Sequence, residues 1–426
     1  MTLPWAIPFA GLLLSIAVLP LAAHHWWENN RNRAIVAAAW ALPVLGLLLA
    51  KWKDGGGVAL GHAGAEYMSF IALLGSLYVV SGGILVTGDI RATPRNNTLL
   101  LAVGALLSNL IGTTGASMLL IRPLLRMNSE RHRTLHVVVF FIFIVSNCGG
   151  CLTPIGDPPL YLGYLRGVPF AWTLEVLWKE WLFVVGALLA VFYAWDTIQY
   201  RREAPRDRTA DDVHVEPFRI AGGANFLLLG GVIACVLLLQ GWMQAAGMAA
   251  MAGLSLGITA KGLRERNGFS WGPIAEVAIL FAGIFVAMVP ALQMLEVRGS
   301  ELGLREPWQY FAATGILSSF LDNAPTYLTF FSTALGAHDP VASGAATVTL
   351  GPPNAGVVFP EDLLAAISLG AVFMGAMTYI GNGPNFMVKS IAESAGQRMP
   401  SFFGYMLWSG AILGPLMVLT VLLFLV

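Results

Sequence analysis

Charge is what this chain has least of. Only 11% of its 426 residues are Asp, Glu, Lys or Arg, against roughly a quarter in ordinary soluble domains. The 24 acidic and 24 basic residues cancel, and no basic run is dense enough to hold a nucleic acid, which excludes that class of partner. Cysteine is scarce too. Cys148, Cys151 and Cys235 all lie in apolar segments, so an extracellular disulfide framework is excluded. Cys148 and Cys151 form a C-x-x-C, but Gly149 and Gly150 separate them and no second pair exists; close packing of small residues explains them better than a redox pair or half a metal site. H-E-x-x-H, a nucleophile elbow and a P-loop are all missing, so nothing points to an enzyme or a resident cofactor. The N-terminus has no basic n-region and no small-residue cleavage site before His24, so residues 4 to 22 read as a retained first span.

What is present is apolar length. Hydrophobic residues make up 57% of the chain and mean hydropathy is +0.71, in runs near the 20 residues that a membrane helix needs. Strands of a membrane barrel would alternate over about 10 residues. The fold expected is all-α and polytopic, an integral membrane protein surrounded by lipid. Spans are expected near 4–22, 34–50, 67–87, 174–196, 220–240, 245–260, 272–292 and 402–425, with broken helices at 135–165 and 361–395. Segments 97–125 and 307–336 are too long for one crossing and have polar or small-residue centres, so each is expected to be a re-entrant hairpin. The domain plan is residues 1–64 as N-terminal scaffold, 65–196 as a first repeat, 197–219 as a loop, 220–271 as linking scaffold helices and 272–426 as a second repeat. With loops 23–33, 88–97, 126–134, 197–219, 261–271 and 396–401 on one side, sixteen Arg and Lys fall there, with Arg122 near a hairpin end as a seventeenth, and six fall on the other. That side is expected to be cytoplasmic, with both termini outside, in a bacterial inner membrane.

Two apolar segments are interrupted by helix breakers. Ser146-Asn147-Cys148-Gly149-Gly150-Cys151-Leu152-Thr153-Pro154-Ile155-Gly156-Asp157-Pro158-Pro159 is one, and Thr378-Tyr379-Ile380-Gly381-Asn382-Gly383-Pro384-Asn385 the other. Thr153/Thr378, Ile155/Ile380, Gly156/Gly381 and Pro159/Pro384 align at an offset of 225 residues. Ser108–Ser117 aligns with Ser318–Tyr327 at an offset of 210, as does Glu66 with Glu276. Most of the 15-residue difference falls in the Gly- and Pro-rich loop from Ala337 to Pro360, whose one charged residue is Asp339. Similar halves of opposite membrane orientation form the inverted repeats of secondary transporters, whose sites lie where the halves meet.

These residues resemble the ion transporter superfamily, which includes NhaD-type sodium/proton antiporters, arsenite efflux permeases, citrate transporters and divalent-anion/sodium symporters. Residues 146 to 157 are most similar to the NhaD-type signature, in which Ser-Asn-x-Gly-Gly precedes Thr/Ser-Pro-Ile-Gly-Asp. The resemblance implies a homodimer with a scaffold domain at the dimer interface. It also implies a transport domain, built from hairpins and broken helices, that moves like an elevator.

Asp157 and Asp322 are the only carboxylates within the four special segments. Charge at membrane depth costs several kcal/mol and normally serves a partner, an ion or a cavity. They are the expected Na+ ligands; the alternative for each is capping a half-helix. Ser146, Asn147 and Thr153 on the first break, and Thr378, Asn382 and Asn385 on the second, are expected to supply neutral oxygens. So are Asn109, Thr113 and Thr114 on the first hairpin tip, and Asn323 and Thr326 on the second. Gly149, Gly150, Gly156, Gly381 and Gly383 permit irregular backbone, and Pro154 and Pro384 withhold amide donors from a continuing helix. Glu66 and Glu276 read as acids that begin helices, and Lys389 as an i,i+4 partner of Glu393. A carboxylate pair attracts small cations and repels citrate, so Na+/H+ antiport is expected, with Na+ and H+ as cargo. Cation-coupled uptake of an organic anion such as citrate, and arsenite efflux, are the alternatives.

Overall fold

A computed structural model describes residues 3–204, 216–337 and 346–426. Asp339 and residues 205–215 of the loop expected at 197–219, with their share of its arginines, lie outside the described residues. In chain order the helices are α1 (Ile7–Ala22), α2 (Asn30–Ala50), α3 (Gly56–Gly82), α4 (Pro94–Met127), α5 (Leu135–Ile144), α6 (Pro158–Leu165), α7 (Trp172–Arg201) and α8 (Ala224–Leu238). They continue with α9 (Gly241–Ile258), α10 (Gly272–Arg298), α11 (Pro307–Phe320), α12 (Asn323–Ala337), α13 (Glu361–Met374), α14 (Gly383–Ser394) and α15 (Phe402–Thr420). Two short antiparallel ribbons complete the fold: β1 (Leu85–Asp89) with β2 (Glu216–Ala221), and β3 (Thr347–Thr349) with β4 (Val358–Pro360). The fold is all-α and polytopic. Among the described residues, eight helices are long and apolar enough to cross a membrane by length and composition. Side chains such as Leu227, Leu238, Trp242 and Leu407 are more than 75% exposed on their outer faces, which suits lipid and not water.

Helix starts follow local chemistry. Asn29 and Thr93 accept hydrogen bonds from the amides of Arg31 and Asn96, and Glu306 with Gln309 forms a reciprocal capping box ahead of Pro307, each satisfying amides that a helix leaves free. Three expected boundaries are corrected. The span placed at 67–87 begins at Gly56 and ends at Gly82, with residues 85–89 in strand β1. The span placed at 220–240 is the shorter α8, preceded by β2. Glu66 lies eleven residues into α3 and not at a helix start; it pairs with Arg166 at 3.0 Å. Glu276, near the start of α10, pairs with Arg33 at 3.0 Å. Lys389 does pair with Glu393, at 3.1 Å.

Helix α4 is a hairpin. Gly112, with φ 75° and ψ 155°, breaks it near the middle, and only glycine enters that region without strain. Its ends then lie side by side, because Asn97 and Asn128 exchange side-chain hydrogen bonds of 3.0 and 2.9 Å. The second hairpin is α11 and α12, joined at Leu321-Asp322 and packed against each other. Both expected breaks occur as well. Each runs α-helix, 3₁₀ turn, extended threonine, then a second half-helix: α5, 148–152, Thr153, α6 in one, and α13, 375–377, Thr378, α14 in the other.

A buried ion pair ties the base of the first hairpin to its surroundings. Arg131 Nη2 meets Asp196 Oδ1 at 2.6 Å, with the two residues 4% and 0% exposed. Asn97 donates to Asp196 Oδ2 at 3.0 Å, and His136 Nε2 lies 2.8 Å from Oδ1. The cluster joins α4, α5 and α7. The opposite boundary, between α3 and α4, is anchored by two asparagines: Asn267 donates to the carbonyls of Gly82 and Ile84, and Asn225 to that of Gly83. Breaking a buried ion pair by removing one partner costs about 3–5 kcal/mol. Arg131→Met should therefore lower the unfolding midpoint of detergent-solubilised protein markedly, whereas Arg298→Met, at an exposed pair with Glu301, should leave it nearly unchanged.

Candidate functional site

The four special segments converge on one side chain. Asp157 is the residue before α6 and does not cap that helix. Its carboxylate instead reaches across the fold. Thr113 Oγ1, from the tip of the first hairpin, donates to Oδ1 at 2.8 Å. Asn382 Nδ2, from the second break, donates to the same oxygen at 3.0 Å, and Asn323 Nδ2, from the second hairpin, donates to Oδ2 at 2.6 Å. Asp157 is 1% exposed, and Asn323 and Asn382 are 0% and 2% exposed.

The repeat gives this geometry its logic. Asp157 and Asn382 are counterparts at the 225-residue offset, and Thr113 and Asn323 are counterparts at 210. One acid is thus held by its own counterpart and by an equivalent pair of hairpin tips. The supporting bonds repeat as well. Thr153 Oγ1 donates to the Asn109 carbonyl at 2.6 Å and accepts from Gly156 N at 3.1 Å; Thr378 Oγ1 donates to the Ser319 carbonyl and accepts from Gly381 N. Asn109 Nδ2 donates to Ala105 O and Gly149 O, and Ser319 Oγ to the counterparts Gly315 O and Met374 O. Each hairpin is therefore stitched to the break of its own repeat.

A second layer fixes Asn382. Its amide also donates to Asn147 Oδ1 at 3.1 Å and Ser146 O at 3.2 Å. Asn147 in turn donates to Asn385 Oδ1 at 2.7 Å and to Ile142 O, while Asn385 donates to the carbonyls of Gly375 and Thr378. Ser146 Oγ pairs with Ser117 Oγ at 2.7 Å. These bonds use carbonyls that the broken helix leaves free.

The remaining candidates are elsewhere. Asp322 is half-buried, and its Oδ1 accepts from Ala324 N at 3.0 Å, a turn bond that caps α12. Thr326 Oγ1 donates to the Asp322 carbonyl. Thr114 is half-buried beside Thr113, outside the network. Gly383 has open space around it, so no neighbour requires its lack of a side chain. Pro384 enters the first turn of α14, and Pro154 lies in the turn after Thr153. Three supporting residues, Ser117, Ser319 and Gly375, fall outside the candidate set of the sequence analysis, although Ser117 and Ser319 stand inside the aligned stretches.

Chemically, the centre offers one carboxylate and, among the described residues, no basic side chain in hydrogen-bond contact with it. Hydrogen bonds to a charged group stabilise by about 1.5–3 kcal/mol each, and an ion in a protein interior loses several kcal/mol of hydration. Three such bonds offset part of that loss, and they do so without a fixed counter-charge. Asn323 Oδ1 is buried and finds no hydrogen-bond partner among the described residues. A buried oxygen without a donor, on the residue that holds the carboxylate, is the mark of a position for an ion or water. No group of three or more His, Cys, Asp or Glu able to hold a metal occurs among the described residues, so the donor set is one acid with neutral oxygens.

An all-helical bundle with membrane-length apolar helices, whose repeat-related breaks and hairpins meet at one buried acid, has the architecture of a secondary transporter. The sequence model of a family described as putative citrate transport matches residues 1–425, and the chain belongs to that family. This agrees with the resemblance to the ion transporter superfamily and carries no NhaD-type assignment. No curated protein matches the chain.

Steric closeness at the breaks gives a test of the geometry. A Cβ on Gly156 would collide with the carbonyl oxygen of Gly150, and one on Gly381 with that of Gly375. Overpacking costs about 1–3 kcal/mol. Gly156→Ala and Gly381→Ala should each lower the unfolding midpoint, while Gly383→Ala should not.

Proposed function

We propose that the protein is a cation-coupled secondary transporter, with Asp157 as the group that carries the coupling ion, and that it exchanges Na+ for H+. The observation that supports this most directly is a buried carboxylate held by three neutral donors from both repeats, without a basic partner. Deprotonated Asp157 and the free Asn323 oxygen bind Na+ arriving from the cytoplasm. The hairpins and broken helices reorient, external protons displace Na+, and the protonated form returns. Exchange follows because ion and proton compete for one group. Asp322, one residue before Asn323, adds negative potential without taking part in the network. The excess of Arg and Lys in loops on one side supports a cytoplasmic assignment for that side, with both termini outside. The elevator motion, the homodimer and the NhaD-type specificity rest on the superfamily resemblance.

A second reading comes from the family. Putative citrate transport favours symport of a carboxylate substrate with a cation. The same Asp157 would bind the cation, and the Ser146-Asn147 and Asn382–Asn385 segments would exchange their mutual hydrogen bonds for the anion.

Purified protein in proteoliposomes separates them. With Na+/H+ antiport, adding Na+ between pH 6 and 9 moves protons across the membrane without citrate, and apparent Na+ affinity falls as pH falls. Citrate uptake that needs Na+, with no Na+-driven proton movement at any of these pH values, sinks the antiport reading. Asp157→Asn should weaken Na+ binding by about 10–100-fold, equivalent to about 1.5–3 kcal/mol. The exchanged pair Asp157→Asn with Asn382→Asp moves the charge to its repeat counterpart and should recover part of that loss; proton release on Na+ addition to detergent-solubilised protein reads both.

A further inference from the structure

Away from the Asp157 centre, a cavity of about 520 Å³ opens between the outgoing arm of α4 and helix α14. Its polar lining is Arg122, Arg126 and Ser129 from one wall and Ser390, Ser394 and Gln397 from the other. Arg122 and Arg126, one helical turn apart, bring two guanidinium groups to the same wall, and no acidic side chain lines it. Two acids adjacent in sequence to the lining residues are engaged: Glu393 pairs with Lys389 at 3.1 Å, and Glu130 accepts from Ser129 Oγ at 2.9 Å. The Arg122 guanidinium packs beside Gly268, and its buried Nη1 has no hydrogen-bond partner among the described residues. Gln397 Oε1 accepts from Thr134 Oγ1 at 3.0 Å, which leaves the Gln397 amide NH2 to donate. Ser394 Oγ is spent on the Ser390 carbonyl, so the donors are the two arginines, Gln397 and the Ser390 hydroxyl.

We propose that this cavity is a binding site for a phosphate group, held by Arg122 and Arg126 and completed by Gln397 and Ser390. Guanidinium forks match phosphate oxygens in pairs, and the volume lies within the range of small-ligand sites. Thr113 and Arg122 are nine residues apart on one helix, and Asn382 and Ser390 eight residues apart. At 1.5 Å per residue the site sits about 12–14 Å from the carboxylate along both helices. It is therefore separate from the cation centre and stands whether or not the exchange reading does. Its two walls belong to different repeats, so a bound phosphate bridges the first hairpin to the second broken helix. The phosphate can come from an anionic phospholipid headgroup or from a free phosphate.

The test is the unfolding midpoint of the full chain in detergent, with phosphatidylglycerol added against phosphatidylcholine, and separately with inorganic phosphate against chloride at matched ionic strength. A rise with phosphatidylglycerol that is at least halved in Arg122→Gln and in Arg126→Gln supports a headgroup site. A rise with inorganic phosphate, lost in the same variants, supports a free phosphate. If neither raises the midpoint, or the rise in Arg126→Gln matches that of the unaltered protein, the proposal fails. Arg126 is exposed, so Arg126→Gln decides alone if Arg122→Gln does not fold.

Discussion

The contact between Asp157 and Asn382 is the point on which the architecture turns. A broken helix inside an apolar bundle leaves carbonyls and amides that lipid cannot satisfy, so each break needs the other segments to close it. Within a repeat, this closure is local: hairpin tip and break share the threonine and Asn/Ser bonds described above. Between repeats, the closure runs through the acid and its counterpart amide, reinforced by Asn323 and by the Asn147–Asn385 pair. The symmetry is broken at one position only in this contact, an acid on one side and an amide on the other. Two acids there would repel, and two amides would hold no charge. One of each gives a hydrogen bond and a single negative charge in the same place.

Much of this was legible in the sequence, because a broken helix leaves a strong signature: Gly, Pro and Asn crowded into apolar runs, repeated at fixed offsets. The hairpins were legible for a similar reason, since segments 97–125 and 307–336 each exceed one crossing and have polar or small-residue centres; the exact fold-back at Gly112 was not. Pairing was harder to see. Spacing shows that Asp157 and Asp322 sit in special segments but not which of them joins the network; Asp322 uses one carboxylate oxygen on its own turn, and Asp157 does not cap its helix. The cluster of Arg131, His136 and Asp196 escaped notice because its members are distant in sequence and each looks like an ordinary residue at a helix or loop boundary. Glu66 was misplaced because hydropathy locates the apolar centre of α3 and not its polar first turns. The ribbons are too short for a period-2 pattern to register.

The repeat also explains why neutral residues dominate the site. Asn147, Asn382 and Asn385 each present a donor and an acceptor, so a chain of amides can satisfy itself in either repeat without adding charge. A buried network tolerates no missing member, and here nearly all its atoms are paired. Among the described residues, a fully buried atom of this network without a partner is Asn323 Oδ1, on the residue that holds the carboxylate.

The β1–β2 ribbon sets a limit on how the molecule can move. Up to residue 89 the chain is held by β2 and by the Asn225 and Asn267 side chains. From residue 91 onward it is held by the hairpin base, through Asn96 on the Arg91 carbonyl and Arg131 on the Ala92 carbonyl. The chain changes hands over residues 89–91. An extended residue spans about 3.3–3.6 Å, so the two steps from residue 89 to residue 91 reach about 7 Å. A longer travel of the hairpin past α3 would have to carry the ribbon along or peel it apart, strand from strand.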